Sequence, residues 1–486
     1  MVNWKIVIIL SLAAILRFIW LNQVPPALNW DEAAIGWNAK TIFHTRRDEY
    51  GTRLPISFKS FGDYKSPVYI YLTAPVVGIF GTNPISIRFV SALAGIISVY
   101  LLYLIGGLTA ATLLAISPWH IMLSRPAFEP SLALMFILSG IYFFLQAMKK
   151  SAYFLVSALS FTLSFYTYHS PKIFVPALLV GLIMIYRRQI FIKKNLFWLF
   201  ASCLISLGLL TPLIKEILFS NGVSRFQSTS IFYTGQGVKQ PLTFSLVKTM
   251  LGNYFIHYSP QFLFLGSSQM PRLELKNMGP LLLIEAPFLL LGIYYLLKNH
   301  RQLWSKFLLF WLVIGPLPAI VGREVPHPIR AFNLLPALII IIALGMQKFF
   351  KPWLIILLSV NWLFFGYYYY YQYPIYSAPN WQYGYQQAVT AAKEYEDQVD
   401  KIIITSYYGQ PYIFTYLLQN RDPLSVFWGG MSLYLFRELR WPEDTSLKNV
   451  LLIGAPEEIP SDSPGIVQTI NYPDGQPVFR LLKTNL

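Results

Sequence analysis

The chain has 486 residues, of which 55% are hydrophobic and only 12% charged, with a mean hydropathy of +0.48. That leaves too little polar surface to cover a soluble globule of this size, so the composition points to a polytopic membrane protein. The formal net charge of +16 sits in basic clusters between apolar runs, the pattern of cytoplasmic loops under the positive-inside rule and not of a nucleic-acid surface. The single cysteine, Cys203, lies in an apolar run and excludes an intrachain disulfide and a cysteine-based metal site.

In chain order, residues 5–21 read as a first span with no convincing cleavage site after it, hence an uncleaved signal-anchor. Residues 22–84 are too polar for lipid. Within them, 32–45 are expected to form a helix at the membrane surface, capped by Asp31, with Ala34, Trp37, Ile42 and Phe43 on its apolar side. Residues 68–80 are apolar but short for a span and suit an interfacial or re-entrant helix.

Runs of spanning length then occupy 85–105, 107–123, 128–147, 152–168, 171–186, 195–214, 280–297, 305–321, 329–346 and 352–371, making about eleven spans with the first. Lys149 and Lys150, Arg187 and Arg188, Lys193 and Lys194, Lys298, Arg301 and Lys306, and Lys348 and Lys351 fall in alternate loops, which are therefore expected to be cytoplasmic. The segments 22–84, 118–127, 169–172, 215–279, 322–328 and 372–486 then lie outside. The link at 104–108 is a bare Gly106-Gly107 turn, and 242–265 are amphipathic enough to lie along the membrane.

Beyond residue 371 the composition becomes that of a soluble domain. Residues 401–405, 450–453, 466–470 and 478–482 read as strands, and 383–397 and 412–419 as helices. The expected organisation is a transmembrane domain over 1–371, whose first outer loop 22–84 carries the chemistry, and a small extracytoplasmic α/β domain over 372–486.

Polar groups assigned to the outer side are Asp31, Glu32, Asp63, Lys65, Arg88, Arg125, Glu129, His169, Lys172, His327 and Arg330. Several stand at span ends, where an ionisable group is expensive. Each has a structural reading as well: Asp31 as a helix cap, the arginines as snorkelling or paired residues, Glu129 as a partner of Arg125, and the histidines as polar core. No second ligand stands at metal spacing from either histidine. One or two carboxylates and a cluster of cations over a membrane-embedded site suit transfer from a lipid-linked phosphate donor. A carboxylate takes the acceptor's hydroxyl proton, and fixed cations hold the phosphate and stabilise the charge that grows as it leaves, with no cofactor or metal required. No P-loop or Rossmann fingerprint appears.

The order Asp31-Glu32 after the first span, Tyr64-Lys65-Ser66-Pro67 before a short apolar helix, then Phe80-Gly81 and Ile87-Arg88 resembles the GT-C-fold glycosyltransferases that use polyprenyl-phosphate sugars. The particular likeness is to the protein O-mannosyltransferases and lipid A aminoarabinose transferases. Ser117-Pro118-Trp119-His120 with Ser124-Arg125, and Pro326-His327 with Arg330, support it over roughly residues 5–370. The resemblance implies that Asp31 is the base, that Lys65 contacts the donor phosphate, and that Arg88 serves the site. Arg125 and Arg330 are added to the phosphate group, Glu32 to the catalytic pair, and Tyr64, Glu129, His169 and His327 as supporting residues. Two prolines follow the lysine in the aminoarabinose branch, where this chain has Ser66-Pro67.

The expected protein is a polytopic α-helical, GT-C-like inverting glycosyltransferase of the plasma membrane. It would move a sugar from a polyprenyl-phosphate donor to a lipid, glycan or protein hydroxyl at the extracytoplasmic face. An oligosaccharyltransferase or polymer ligase using a pyrophosphate-linked donor is the nearest alternative, and a lipid transporter or scramblase the alternative outside enzymes.

Overall fold

The computed structural model describes residues 4–219, 224–234, 236–266, 270–349 and 351–484. Among the described residues six helices are long and apolar enough to cross a membrane, over 84–116, 129–147, 171–190, 193–219, 303–320 and 353–376. Shorter apolar helices cover Pro67–Phe80, Tyr153–Phe165 and Phe332–Lys348. The helix Lys193–Phe219 leaves Phe197, Phe200, Leu207 and Phe219 exposed, and Trp353–Tyr367 leaves Ile356 and Leu363 so. Such continuous apolar surface is stable against lipid and not against water.

Helix α1 (Trp4–Phe18) leads to a loop and then α2 (Trp30–Thr45). The strands β1 (Phe58–Ser60) and β2 (Asp63–Lys65) form a hairpin before α3 (Pro67–Phe80). The element α4 (Pro84–Ile116) has helical hydrogen bonding over 33 residues, which would extend about 50 Å if straight. Yet Arg88 near its start bonds the Leu21 carbonyl at 2.8 Å, while Ala115 near its end receives a 3.0 Å bond from Arg17. Both ends therefore meet the same end of α1, and the chain must reverse between them. It does so at Gly107, whose φ of 83° interrupts the helix where the Gly106-Gly107 turn was expected.

The run expected as one span over 107–123 is broken again at Ser117. This residue caps a separate short helix, α5 (Pro118–Ser124), its hydroxyl accepting from the His120 N–H at 3.3 Å. Helix α6 (Glu129–Ala147) follows.

Two expectations for α2 are corrected. Asn29, not Asp31, is its N-cap: the Asn29 side chain accepts from the Glu32 N–H at 3.0 Å and the Glu32 carboxylate accepts from the Asn29 N–H at 3.3 Å. This reciprocal box satisfies two donors that a helix start otherwise leaves open. Nor does α2 lie with one side on a membrane surface, because every residue from Glu32 to Ile42 is buried. It packs against α3 and the C-terminal helix Pro411–Leu418. Helix α3, expected to be interfacial, buries Tyr69, Ile70 and Val77 while exposing Leu72, Ile79 and Phe80.

The C-terminal region forms a five-stranded sheet of β3 (Lys401–Ile404), β4 (Tyr434–Phe436), β5 (Val450–Gly454), β6 (Ile466–Asn471) and β7 (Pro477–Lys483), in the order β4-β3-β5-β7-β6. The first three are parallel and the last two antiparallel to their neighbours. Strand β5 is buried throughout, as its unbroken apolar run implies. Edge strand β4 was missed in the sequence because it spans only three residues. Two cores result. One lies in the bundle, around Leu114, Trp119, Leu138, Phe174, Trp311 and Leu338. The other joins Ile35, Trp37, Tyr69 and Ile87 of the first loop and α4 to Ile402, Phe414, Leu451 and Phe479 of the C-terminal layer. The sheet thus packs on the loop that carries the acidic pair.

Candidate active site

Three fully buried arginines surround the end of α1, and two of them fix the chain that leads from it into α2. Arg17 donates to the carbonyls of Ala13, Ala115 and Leu114 and to His120 Nδ1. Arg125 donates to the carbonyls of Leu16, Ile19 and Val24. Arg88 donates from Nη1 to Leu21 and Pro25, from Nη2 to Ala27 and Glu32, and from Nε to Glu32. A guanidinium has five N–H donors, so Arg88 has none left for a phosphate. The structure accordingly places Arg88 and Arg125 as staples of the 16–27 segment and not at an open anion site.

Glu32 is held in the same way. Its carboxylate takes both bonds from Arg88 at 2.9 Å, accepts from the Ala127 N–H at 2.8 Å, and closes the capping box. A buried carboxylate with its acceptor sites filled orients a helix and has no free edge for a substrate.

Asp31, one residue earlier, points elsewhere. Its side chain is 36% exposed and pairs directly with the Lys65 ammonium, which is only 6% exposed. Asp31 sits in the first turn of α2, where the helix dipole favours an anion. Lys65 is delivered by the hairpin β1–β2, whose two-residue turn has positive φ at both Phe61 and Gly62, 53° and 79°. That geometry matches the twist of paired strands. The C-terminal layer holds the other side: Gln382 accepts from the Trp30 N–H at 2.8 Å and donates to the Tyr408 carbonyl at 3.1 Å. Gly409, at φ 119°, passes so close to Trp30 that a Cβ there would stand 2.2 Å from the indole.

A second group of basic residues stands behind a short helix that packs on β2. His169, Lys172 and Arg330 line a cavity of ≈ 230 Å3 together with Tyr168, Thr229 and Ser230. Lys172 Nζ lies 3.4 Å from His169 Nδ1. The short helix Ser224–Thr229 that walls the cavity packs on β2, and the Val68 N–H at the head of α3 donates to the Tyr166 carbonyl at 3.2 Å. Gly322 leaves room for Arg330, since a Cβ there would meet Nη1 at 1.9 Å. His327 acts one step back: its Nδ1 accepts from the Arg330 N–H at 3.4 Å, and its own N–H donates to His257 Nε2 at 3.1 Å. Burial pulls His257 down to about 4, so this imidazole stays neutral and can accept.

Of the other expected residues, Tyr64 lies in β2 with its N–H on Asp63 Oδ1 at 2.7 Å. Glu129 opens α6 in its first turn, while Arg125 ends α5, so the two do not share a helix. Sequence reasoning passed over Arg17, Glu49, Gln382 and His257. Arg17 could have been found, as a lone charge inside an apolar run; the others carry no local signal.

Glu49 lies between α2 and β1. Asn38 donates to its Oε1 at 3.2 Å and accepts from its N–H at 3.0 Å. Burial pushes the carboxyl up to about 7 against the pull of the Asn38 amide; Asp48 adds to the rise and Lys65 opposes it. The folded protein therefore keeps a proton that the unfolded chain gives up near the ordinary value of 4.5. Between these values stability falls as pH rises, and above the folded value the cost is fully expressed. Glu49→Gln is expected to raise stability at pH 8 by about 1–3 kcal/mol and to leave it unchanged at pH 4.5. Thermal unfolding in nanodiscs at the two pH values checks this; an equal effect at both would mean that the carboxyl does not titrate in this window.

An apolar helical bundle carrying a polar site at one end, with an α/β layer closing over it, is the architecture of the GT-C-fold glycosyltransferases. Over the whole chain the fold matches ArnT from Cupriavidus metallidurans bound to undecaprenyl phosphate, with a TM-score of 0.56 at 10% identity, covering 99% of this chain and 98% of that one. The apo state of the same protein matches at 0.55 and 11% identity, covering 98% and 97%. The Archaeoglobus fulgidus oligosaccharyltransferase in complex with zinc and sulfate matches at 0.48 and 14%, covering 93% of this chain and 68% of that one. Residues 64–214 match the family model of dolichyl-phosphate-mannose-protein mannosyltransferases. The fold is therefore of the GT-C type, and within it residues 64–214 are similar to the mannosyltransferase family model. No curated protein matches the sequence.

Proposed function

We propose that this protein is an inverting glycosyltransferase that moves a sugar from a polyprenyl-phosphate carrier to a hydroxyl acceptor at the extracytoplasmic face. The observation that carries the reading is the Asp31–Lys65 pair, a partly exposed carboxylate on a buried ammonium; the cavity of His169, Lys172 and Arg330, walled by a helix that packs on β2, supports it. The family match over 64–214 and the undecaprenyl phosphate bound by the Cupriavidus protein support the lipid carrier. Alternation of the basic loops supports the outer placement of the site and of residues 372–486.

In this mechanism the acceptor oxygen bonds to the anomeric carbon from the side opposite the phosphate. The bond from that carbon to the phosphate oxygen breaks, its electron pair leaves with the polyprenyl phosphate, and the acceptor's proton passes to the Asp31 carboxylate. Attack from the opposite side inverts the configuration. Lys65, with the Lys172 and Arg330 group, holds the leaving phosphate and offsets its growing charge. Glu32 and Arg88 keep the first turn of α2 in place.

The test is turnover of a radiolabelled polyprenyl-phosphate hexose by the purified protein in nanodiscs. Saturable donor binding and release of the sugar to an acceptor or to water are expected. Lys65→Met should weaken donor binding by roughly 10- to 100-fold, the loss of a charged hydrogen bond. Absence of saturable donor binding in the wild type would overturn the reading, and unchanged donor affinity in Lys65→Met would remove Lys65 from the phosphate site.

A further inference from the structure

An open cleft of ≈ 640 Å3 lies between the β1–β2 hairpin and the helix Pro411–Leu418, lined by Glu49, Tyr50, Phe61, Gln410, Tyr412 and Tyr416. We infer that this cleft is the acceptor subsite and that the acceptor it takes is a carbohydrate, a short oligosaccharide whose terminal hydroxyl reaches Asp31. The inference rests on the transfer reaction proposed above and adds the acceptor's chemical class, which that reading leaves open.

Aromatic side chains form a continuous series from the base into the cleft. Trp30, the neighbour of Asp31, lies 6.4 Å from Phe61 between ring centroids, Phe61 lies 6.1 Å from Tyr412, and Tyr412 lies 5.5 Å from Tyr416. A sugar ring has an apolar C–H face that rests on such rings, and a rim of hydroxyls that needs both donors and acceptors. Glu49, the Gln410 amide and the tyrosine hydroxyls supply these in the same cleft. The Phe61 ring is presented by a left-handed backbone, φ 53°, an unusual conformation for an aromatic residue. Residues held this way concentrate at ligand sites.

Other occupants fit less well. The Asp48 carboxylate beside Glu49 disfavours a phosphorylated or otherwise anionic ligand. A polyprenyl chain needs an apolar wall without a carboxylate. Peptide recognition by strand addition needs an open sheet edge, and neither β4 nor β6, the edges of the C-terminal sheet, supplies a lining residue. The reach also matters. Phe61 and Lys65 are the turn and the far end of one hairpin, about 13 Å apart along an extended chain. A short oligosaccharide laid along the rings from Tyr416 and Tyr412 past Phe61 to Trp30 would carry its terminal hydroxyl from the cleft to the neighbour of Asp31.

The experiment is saturation-transfer NMR on the full chain in nanodiscs, because maltoside detergents would themselves occupy a sugar site. The probes are maltotriose, cellotriose, mannotriose and chitotriose, with a Ser/Thr-containing peptide as the competing class. Tyr50, half exposed at the rim, and Tyr412 are replaced by Ala. At least one trisaccharide is expected to bind saturably in the wild type, to lose at least tenfold in affinity in both variants, and to accelerate donor turnover. If no trisaccharide binds, if binding survives both substitutions, or if only the peptide competes, the inference is wrong. Donor binding, measured separately, tells this failure from failure of the reaction itself: if the lipid donor binds and no trisaccharide does, the subsite alone is refuted. Thermal unfolding of both variants close to wild type serves as the folding control.

Discussion

Replacing Asp31 by Asn is expected to lower glycosyl transfer by about 10²–10⁴-fold, the range for loss of a positioned general base. The substitution keeps the side chain's shape and removes its ability to take a proton. The helix start does not depend on it, because the capping box is made by Asn29 and Glu32. The fold should therefore survive, and circular dichroism and thermal unfolding should be close to wild type. The kinetic pattern is distinctive. Lys65 loses its carboxylate partner and becomes more available to the donor phosphate, so kcat falls while the donor KM does not rise. Lys65→Met predicts the reverse emphasis, a rise in donor KM. Wild-type turnover by Asp31→Asn would remove Asp31 from the mechanism. A fall confined to donor affinity would assign it to binding and not to proton transfer.

Arg88→Met should act through stability. Arg88 and Glu32 are both fully buried and bond each other through two contacts of 2.9 Å. Removing the guanidinium strands a carboxylate in the protein interior and leaves the carbonyls of Leu21, Pro25 and Ala27 without their donor. Breaking a buried pair in this way costs about 3–5 kcal/mol. The double variant Arg88→Met/Glu32→Gln removes the charge from the abandoned partner and should recover part of that loss, a coupling that a double-mutant cycle measures directly. An Arg88→Met protein as stable as wild type but with a raised donor KM would instead return Arg88 to the phosphate site expected of it from sequence.

How much of this was legible beforehand follows from the range over which each signal acts. Apolar runs, basic loops and the abrupt loss of hydropathy after residue 371 are local properties of the chain, and they announced the bundle, the polar first loop and the strands of the C-terminal layer. The acidic pair stood out because charge is costly beside a membrane. Local properties could not say which of two adjacent carboxylates faces the solvent. Asp31 and Glu32 differ by 100° around a helix, and that rotation puts one on Lys65 and the other on Arg88.

The sequence by itself determined a membrane bundle with a polar first loop, a soluble C-terminal layer, and a short set of ionisable groups worth examining. Only the tertiary structure divided that set. Arg88 finds Glu32 across 56 residues and Arg17 finds Ala115 across 98. Partners so far apart are chosen by how helices pack and not by any pattern in a short window, because each buried guanidinium must find its acceptors wherever the fold brings them. Packing therefore assigned Arg88 and Arg125 to holding the 16–27 segment and Arg17 to joining α1 to α4 and α5. It left Asp31 partly exposed and paired with Lys65, the arrangement on which the proposed reaction rests.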